Sequence, residues 1–284
     1  MEMLENVWKT ELEILGEIDR LCERHGIRYF ADSGTLLGAV RHGGFIPWDD
    51  DIDLAMLRRD YDRFRKIAEK ELDGRFFCQS GYNDRGFYGG MLHIRMNGTT
   101  AILKRNLPHA AFHQGIFVDI FPLDGVIRSR PLAALQSFCK RALNVIMWRK
   151  NCACEKAVLW KRALLFLPVR LPQKVLFALF EWVCAWRRAE KSDFLDTVSY
   201  FGTGGKRRAS CYAVTQRLPF CGTHIPVPGE YGDILRAVYG DDYMTPTRSP
   251  TDHGEVFFDT RHSYKDYLDG ALGDSGEFLS WRNQ

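Results

Sequence analysis

The sequence predicts an α/β (α+β) protein: a small mixed β-sheet flanked by helices, with a helical insertion. Three observations predict it. Residues 4–25 carry apolar side chains at helical spacing. Short apolar runs at 29–31, 52–56, 75–80, 91–96 and 116–121 alternate with helical or turn-forming stretches. Residues 131–190 are helical in pattern, basic and rich in aromatics. Strands and helices mixed in this way form a sheet with helices packed against it.

The elements follow in chain order. Leu4, Val7, Trp8, Leu12, Leu15, Ile18 and Leu21 line one helical face, and Gly26 supplies the C-cap. Acids within this stretch and the lack of an unbroken apolar core argue against a signal peptide. Tyr29, Phe30 and Ala31 read as the end of a strand. Asp32 or Ser33 then caps a helix whose apolar face is Leu36, Leu37 and Val40. Gly34 allows the backbone to approach a ligand closely. With Ser33 and Thr35 it presents helix N–H groups suited to a phosphate. Arg41, two turns on, either reaches that phosphate or decorates the helix surface.

Four aspartates come next: Asp49, Asp50, Asp51 and Asp53. Asp51-Ile52-Asp53-Leu54 fits the end of a strand, which puts Asp51 and Asp53 on one face and Asp50 on the other. Like charges that close repel and push a proton onto one of them. A hard cation such as Mg²⁺ (or Mn²⁺) reverses that sign, and it takes carboxylates together with substrate phosphates. Trp48 abuts the group, either to pack or to hold a quaternary ammonium against its ring.

Further along, 58–72 reads as a surface helix. His93 and Arg95 share a face of the 91–96 strand, either facing donor phosphates or forming a cross-strand pair. Arg95 is the better phosphate ligand because its fork is planar. His113 reads as structural, and nothing in the spacing of Thr251, Asp252, His253 and Gly254 specifies chemistry. Glycine-rich turns follow 191, then a strand pair around 211–228 and a helix at 230–239. The organisation expected is a core at 1–130, a helical basic and aromatic insertion at 131–190, and a C-terminal module at 191–284 packing on the core.

The string GTLLGAVRHGGFIPWDDDIDLAM, with GIFVDIFPLDG at 115–125 and VPGEYGDILRAVYGDDYMTP at 227–246, resembles the LicD family of the nucleotidyltransferase superfold. That resemblance implies a nucleotidyltransferase-like core and makes Asp119 a third acidic residue beside Asp51 and Asp53, with Asp49 and Asp50 in support. It implies transfer of a phospho-alcohol from a CDP-linked donor, such as CDP-choline or CDP-ribitol, to a hydroxyl of a glycan or its lipid-linked precursor, with CMP leaving. In that reading Asp51, Asp53 and Asp119 hold Mg²⁺ or Mn²⁺. Ser33, Gly34, Thr35, Arg41, Trp48, His93 and Arg95 contact the donor. The alternatives are transfer of a nucleotide monophosphate to a small hydroxylated substrate, and a non-catalytic module that binds glycan or membrane.

Composition narrows the setting. A net charge of +3 over 284 residues gives no sign of nucleic acid as partner. The eight cysteines are scattered, with only Cys152 and Cys154 close, so free thiols in a reducing cytoplasm are expected rather than a zinc site. No stretch is apolar enough to span a membrane. The basic 131–190 segment either packs on the core with a solvated face or lies peripherally on the inner face of the cell membrane.

Overall fold

A computed structural model describes residues 2–109, 111–149, 171–200, 205–247, 254–272 and 278. The segments expected around Cys152, Cys154 and Trp160, and Thr251, Asp252 and His253, lie outside the described residues. The elements are α1 (Glu2–His25), β1 (Phe30–Ala31), α2 (Ser33–His42), β2 (Asp53–Leu57), α3 (Arg58–Glu71), β3 (Phe76–Gln79), β4 (Leu92–Met96), β5 (Thr100–Leu103), β6 (Phe117–Gly125), α4 (Arg130–Arg149) and α5 (Gln173–Cys184). Then follow β7 (Phe194–Asp196), β8 (Arg207–Arg208), β9 (Thr215–Phe220), β10 (Thr223–Pro228), α6 (Tyr231–Tyr239), β11 (Val256–Asp259) and α7 (Tyr264–Leu268). The class is α/β with a mixed sheet, as the sequence predicts.

The central sheet runs β1-β2-β6-β4-β3. Only β2 and β6 pair in parallel; the other neighbours are antiparallel. Leu54, Met56, Val118, Ile120, Leu92 and Ile94 form a buried layer with Ile14 and Ile18 of α1 and Tyr61 and Phe64 of α3. Side chains alternate along a strand, so the residues between these project from the opposite face of the sheet. Asp53, Asp119 and His93 are among them.

The second half of the chain closes on this core. β7 extends the end of β6 through Asp124↔Asp196 and Gly125↔Leu195, and β8 pairs with β7. The β9–β10 hairpin turns at Cys221 and Gly222, both at positive φ (48° and 80°), as a type I′ two-residue turn requires. Gly222 accepts that geometry without a Cβ penalty. A buried ionic cluster joins three elements. Arg58 of α3 forms two hydrogen bonds to Asp124 of β6, at 2.8 and 2.7 Å, and one to Glu181 of α5 at 3.2 Å.

Two details differ from the sequence reading, and a third, the helical insertion, agrees with it. β2 starts at Asp53, so Asp51 lies in the irregular segment before the strand rather than within it; Pro47 and the adjacent carboxylates disfavour strand pairing there. The helical insertion is two described helices, α4 and α5, with Pro172 at the N-cap of α5, where its fixed φ and missing N–H do no harm. β5 and β11 pair across more than 150 residues, a contact that no local period announces. Among the described residues no helix is long and apolar enough to cross a membrane.

Candidate functional site

The site is built where β2 and β6 run side by side. Register places Asp53 opposite Asp119, and His93 of β4 opposite Asp119 on the other flank. Neighbouring strands are about 4.8 Å apart, so these three side chains sit in a row across the sheet. His93 Nε2 lies 3.0 Å from Asp119 Oδ1. Its Nδ1 accepts from Arg95 Nη2 at 2.7 Å, so the proton sits on Nε2, the nitrogen nearer Asp119. Burial, then the nearby Arg95 and Arg105 cations, push the His93 pKa well below the ordinary histidine value. The ring is therefore neutral at physiological pH and stands beside Asp119.

The loop before β2 is propped from α1. The Trp8 indole N–H donates to the Asp49 carbonyl at 2.8 Å, and the Trp8 ring stacks on Phe45. Each of Asp49, Asp50 and Asp51 offers an oxygen within 4.8 Å of the others. Asp49, Asp51, Asp53 and Asp119 all line one cavity of about 1150 Å³. Asp53 is held above the usual carboxylate range by burial first, then by Asp51, Asp119, Asp32 and Asp49. A crowd of carboxylates with oxygen donors only is a donor set for a hard divalent cation. Among the described residues the carboxylates that come within 4.8 Å of one another, and so fit Mg²⁺ or Mn²⁺, are those of Asp49, Asp50 and Asp51; Asp53 and Asp119, expected from the sequence to join Asp51, line the same cavity outside that close group.

The glycine turn takes an unexpected role. A Cβ on Gly34 would stand 2.5 Å from Asp49 Oδ2, so the close approach that this glycine permits is that of a carboxylate. Ser33 enters α2 at φ 46°. Asp32 holds the N-cap position of α2, but its side chain does not cap the helix. It pairs instead with Arg207 Nη1 at 2.7 Å, both side chains being nearly inaccessible. Thr35 is buried and its hydroxyl accepts from the Asp53 N–H at 2.8 Å. It positions Asp53 rather than facing the cavity.

The arginines separate by what they already hold. Arg95 donates to Gln79 Oε1 and the Gly115 carbonyl, both at 2.5 Å, and lies over the Phe117 ring. Burial lowers its pKa to about 10. Arg41 donates to the Tyr243 carbonyl at 3.0 Å and the Thr245 carbonyl at 3.4 Å. Both line the cavity, yet both are engaged by the protein. Arg105, just after β5, also lines the cavity and is exposed; among the described residues it forms no ion pair. Trp48 forms part of the wall and packs partly against the core.

Sequence reasoning missed several residues here. Arg207 joins the site from 175 positions beyond Asp32. Arg105 had no motif around it. Glu11, on the amphipathic helix, is buried behind the aspartates and one of its oxygens has no hydrogen-bond partner among the described residues. Burial, then Asp51, Asp50, Asp49 and Asp119, raise its pKa well above the usual range. An acid at a position of helical burial was the only signal it gave.

Part of the chain is similar to known proteins. Residues 26–125 match the family model described as LicD/FKTN/FKRP, nucleotidyltransferase domain. The lipopolysaccharide cholinephosphotransferase LicD of Haemophilus influenzae is 38% identical over 118 residues, which is 40% of this chain and 42% of that protein. The ribitol 5-phosphate transferase FKRP of Homo sapiens is 38% identical over 65 residues, 23% of this chain and 12% of that protein. The chain therefore spans less than half the length of these relatives. The matched stretch runs from the end of α1 to the end of β6 and contains Asp53, His93 and Asp119. Residues 26–125 thus match the nucleotidyltransferase domain of the LicD family.

Proposed function

We propose that this chain transfers a phospho-alcohol from a CDP-linked donor to a glycan hydroxyl and releases CMP. The observation that carries the reading is the pairing of Asp53 with Asp119, on adjacent parallel strands, in a cavity large enough for a nucleotide donor. In the reaction the acceptor oxygen bonds to the phosphorus that carries the alcohol. The bond from that phosphorus to the oxygen bridging it to CMP breaks. The acceptor proton leaves to a carboxylate, Asp119 in this reading, which His93 holds in place.

Asp51, Asp53 and Asp119, supported by Asp49 and Asp50, would hold Mg²⁺ or Mn²⁺. The ion would supply positive charge against the diphosphate and the developing charge of the leaving group. Arg105 contributes a further cation at the cavity wall, and a planar fork suits a phosphate. Phe87, Met91, Phe112, Phe121 and Tyr200 form an apolar group along the same cavity, and with Trp48 they offer faces for a base or a quaternary ammonium. Most of the rate would come from positioning and charge stabilisation, as in other phosphoryl transfers.

The test is a donor screen with CDP-choline, CDP-ribitol, CDP-glycerol and CDP-ethanolamine, each with Mg²⁺ or Mn²⁺, reading CMP. CMP release that is lost in Asp53→Asn supports the proposal. Consumption of a nucleoside triphosphate with pyrophosphate release points instead to nucleotidyl transfer. Wild-type protein that binds Mn²⁺ in calorimetry but turns over neither class rejects both.

A further inference from the structure

We infer that the outer faces of α4 and α5 form a docking surface for an anionic lipid bilayer, independent of the reaction proposed above. Thirteen large apolar side chains are exposed among the described residues, and six of them fall on these two helices. Leu132, Leu135 and Phe138 are on α4, the last 65% exposed. Val175, Leu179 and Trp182 make a stripe at i, i+4 and i+7 along α5, with Trp182 63% exposed. The inner faces are spoken for. Met147, Leu176, Phe177, Phe180 and Cys184 form a buried cluster, and Gln136 of α4 donates to the carbonyls of Val183 and Cys184. The outer stripe is therefore a surplus beyond what joins the pair to the core.

Charge decides the occupant. α4 contains no acid, and the one acid of α5, Glu181, is buried against Arg58 and the Tyr82 hydroxyl. Arg130, Arg141, Lys174 and Arg188 are exposed on or beside the two helices. Apolar and aromatic side chains with flanking cations, and no exposed acid on either helix, match a surface of anionic headgroups over acyl chains. Trp182 lies edge-on to Trp186 at 5.5 Å, and tryptophan favours the level of the headgroups. Asn144 of α4 lines the cavity that holds the carboxylates. Docking through these helices would bring that cavity near the bilayer.

The experiment is vesicle flotation of the full chain with phosphatidylcholine vesicles, with and without 30% phosphatidylglycerol, alongside light scattering without lipid. The wild type is expected to float with the anionic vesicles only, at least tenfold more than with the neutral ones, and to be released by high salt. Phe138→Glu/Trp182→Glu should lose flotation at least tenfold while its melting temperature stays within a few degrees, because both side chains face outward. Arg141→Glu/Lys174→Glu provides a second variant that leaves the apolar stripe intact and should also lose it. No flotation of the wild type overturns the inference. So does a wild-type dimer that Phe138→Glu/Trp182→Glu converts to a monomer without any vesicle binding, since the face would then belong to a second copy.

Discussion

Replacing Gly34 with alanine separates the carboxylate site from the fold that carries it. The added Cβ would lie 2.5 Å from Asp49 Oδ2 and 3.4 Å from Asp49 Cγ. Ordinary contact begins near 3.4 Å, so the oxygen must retreat by about 0.9 Å. What it meets is the end of a side chain rather than backbone, so the retreat itself is cheap. Gly34 has an ordinary helical φ, and alanine is favoured over glycine in a helix by up to roughly 1 kcal/mol. Stability should therefore hold or rise slightly. The site should suffer, because a displacement of about 1 Å at a positioned group can lower turnover about a hundredfold, and losing a supporting ligand weakens metal binding roughly 10- to 100-fold. Mn²⁺ calorimetry, thermal melting and CMP release measure the three quantities. Wild-type affinity and turnover in Gly34→Ala would refute the role given to Asp49. A melting point lowered by many degrees would refute the claim that the clash is confined to the site.

Three further outcomes follow from the same contacts. Asp53→Asn should abolish turnover, leave the apo melting temperature unchanged or higher because a crowded buried charge is gone, and remove the stabilisation that Mn²⁺ gives the wild type. An unimpaired Mn²⁺ shift in that variant would remove Asp53 from the cation site. Arg207→Met should cost about 3–5 kcal/mol in denaturant unfolding, since it strands the buried Asp32 carboxylate; Asp32→Asn/Arg207→Met should recover part of that loss, and an additive double variant would show the pair is not coupled. His113 is a pH effect: its Nδ1 accepts from the Gly115 N–H and its Nε2 faces Asn97 Oδ1. Burial, then Arg95 and Lys265, lower its pKa to about 3. The unfolded chain then binds the proton first, so its contribution is complete above pH 6.5 and declines as pH falls toward 3. The difference between the wild type and His113→Gln should shrink by roughly 2 kcal/mol between pH 7 and pH 4.5; a pH-independent difference would contradict the neutral, buried assignment.

How much of this was legible depends on how local each feature is. α1, α3 and the strands at 76–79 and 92–96 follow from apolar periods that a few neighbouring residues define. The β9–β10 hairpin lies within the span expected for a strand pair, and its turn falls where Cys221 and Gly222 take positive φ. By contrast, β5 is a run of four buried residues whose partner is β11. Such a run has no exposed face to give it a period, so nothing local sets it apart from a buried helical turn. β7 is three residues long and exists because the end of β6 leaves an open edge to pair with.

In the site the division is between charge and its counter-charge. The aspartates are conspicuous because acids within an apolar run have few structural uses, and resemblance supplied Asp119 before the register set it against Asp53. The cations were harder to assign, because an arginine's role depends on what it is bonded to in space. Arg41 and Arg95 look like phosphate ligands in the sequence, yet one is held by carbonyls of the C-terminal half and the other by Gln79 and Gly115. Arg207 looks like part of a basic run, yet it neutralises Asp32 at the mouth of α2. A residue whose side chain is saturated by protein partners must break those bonds to serve a ligand, at about 1–3 kcal/mol for each group left buried and unmade. Arg105 lines the cavity and, among the described residues, has no such bond to break. It was inconspicuous in the sequence for the same reason: among the described residues it has no ion-pair partner whose spacing could have announced it.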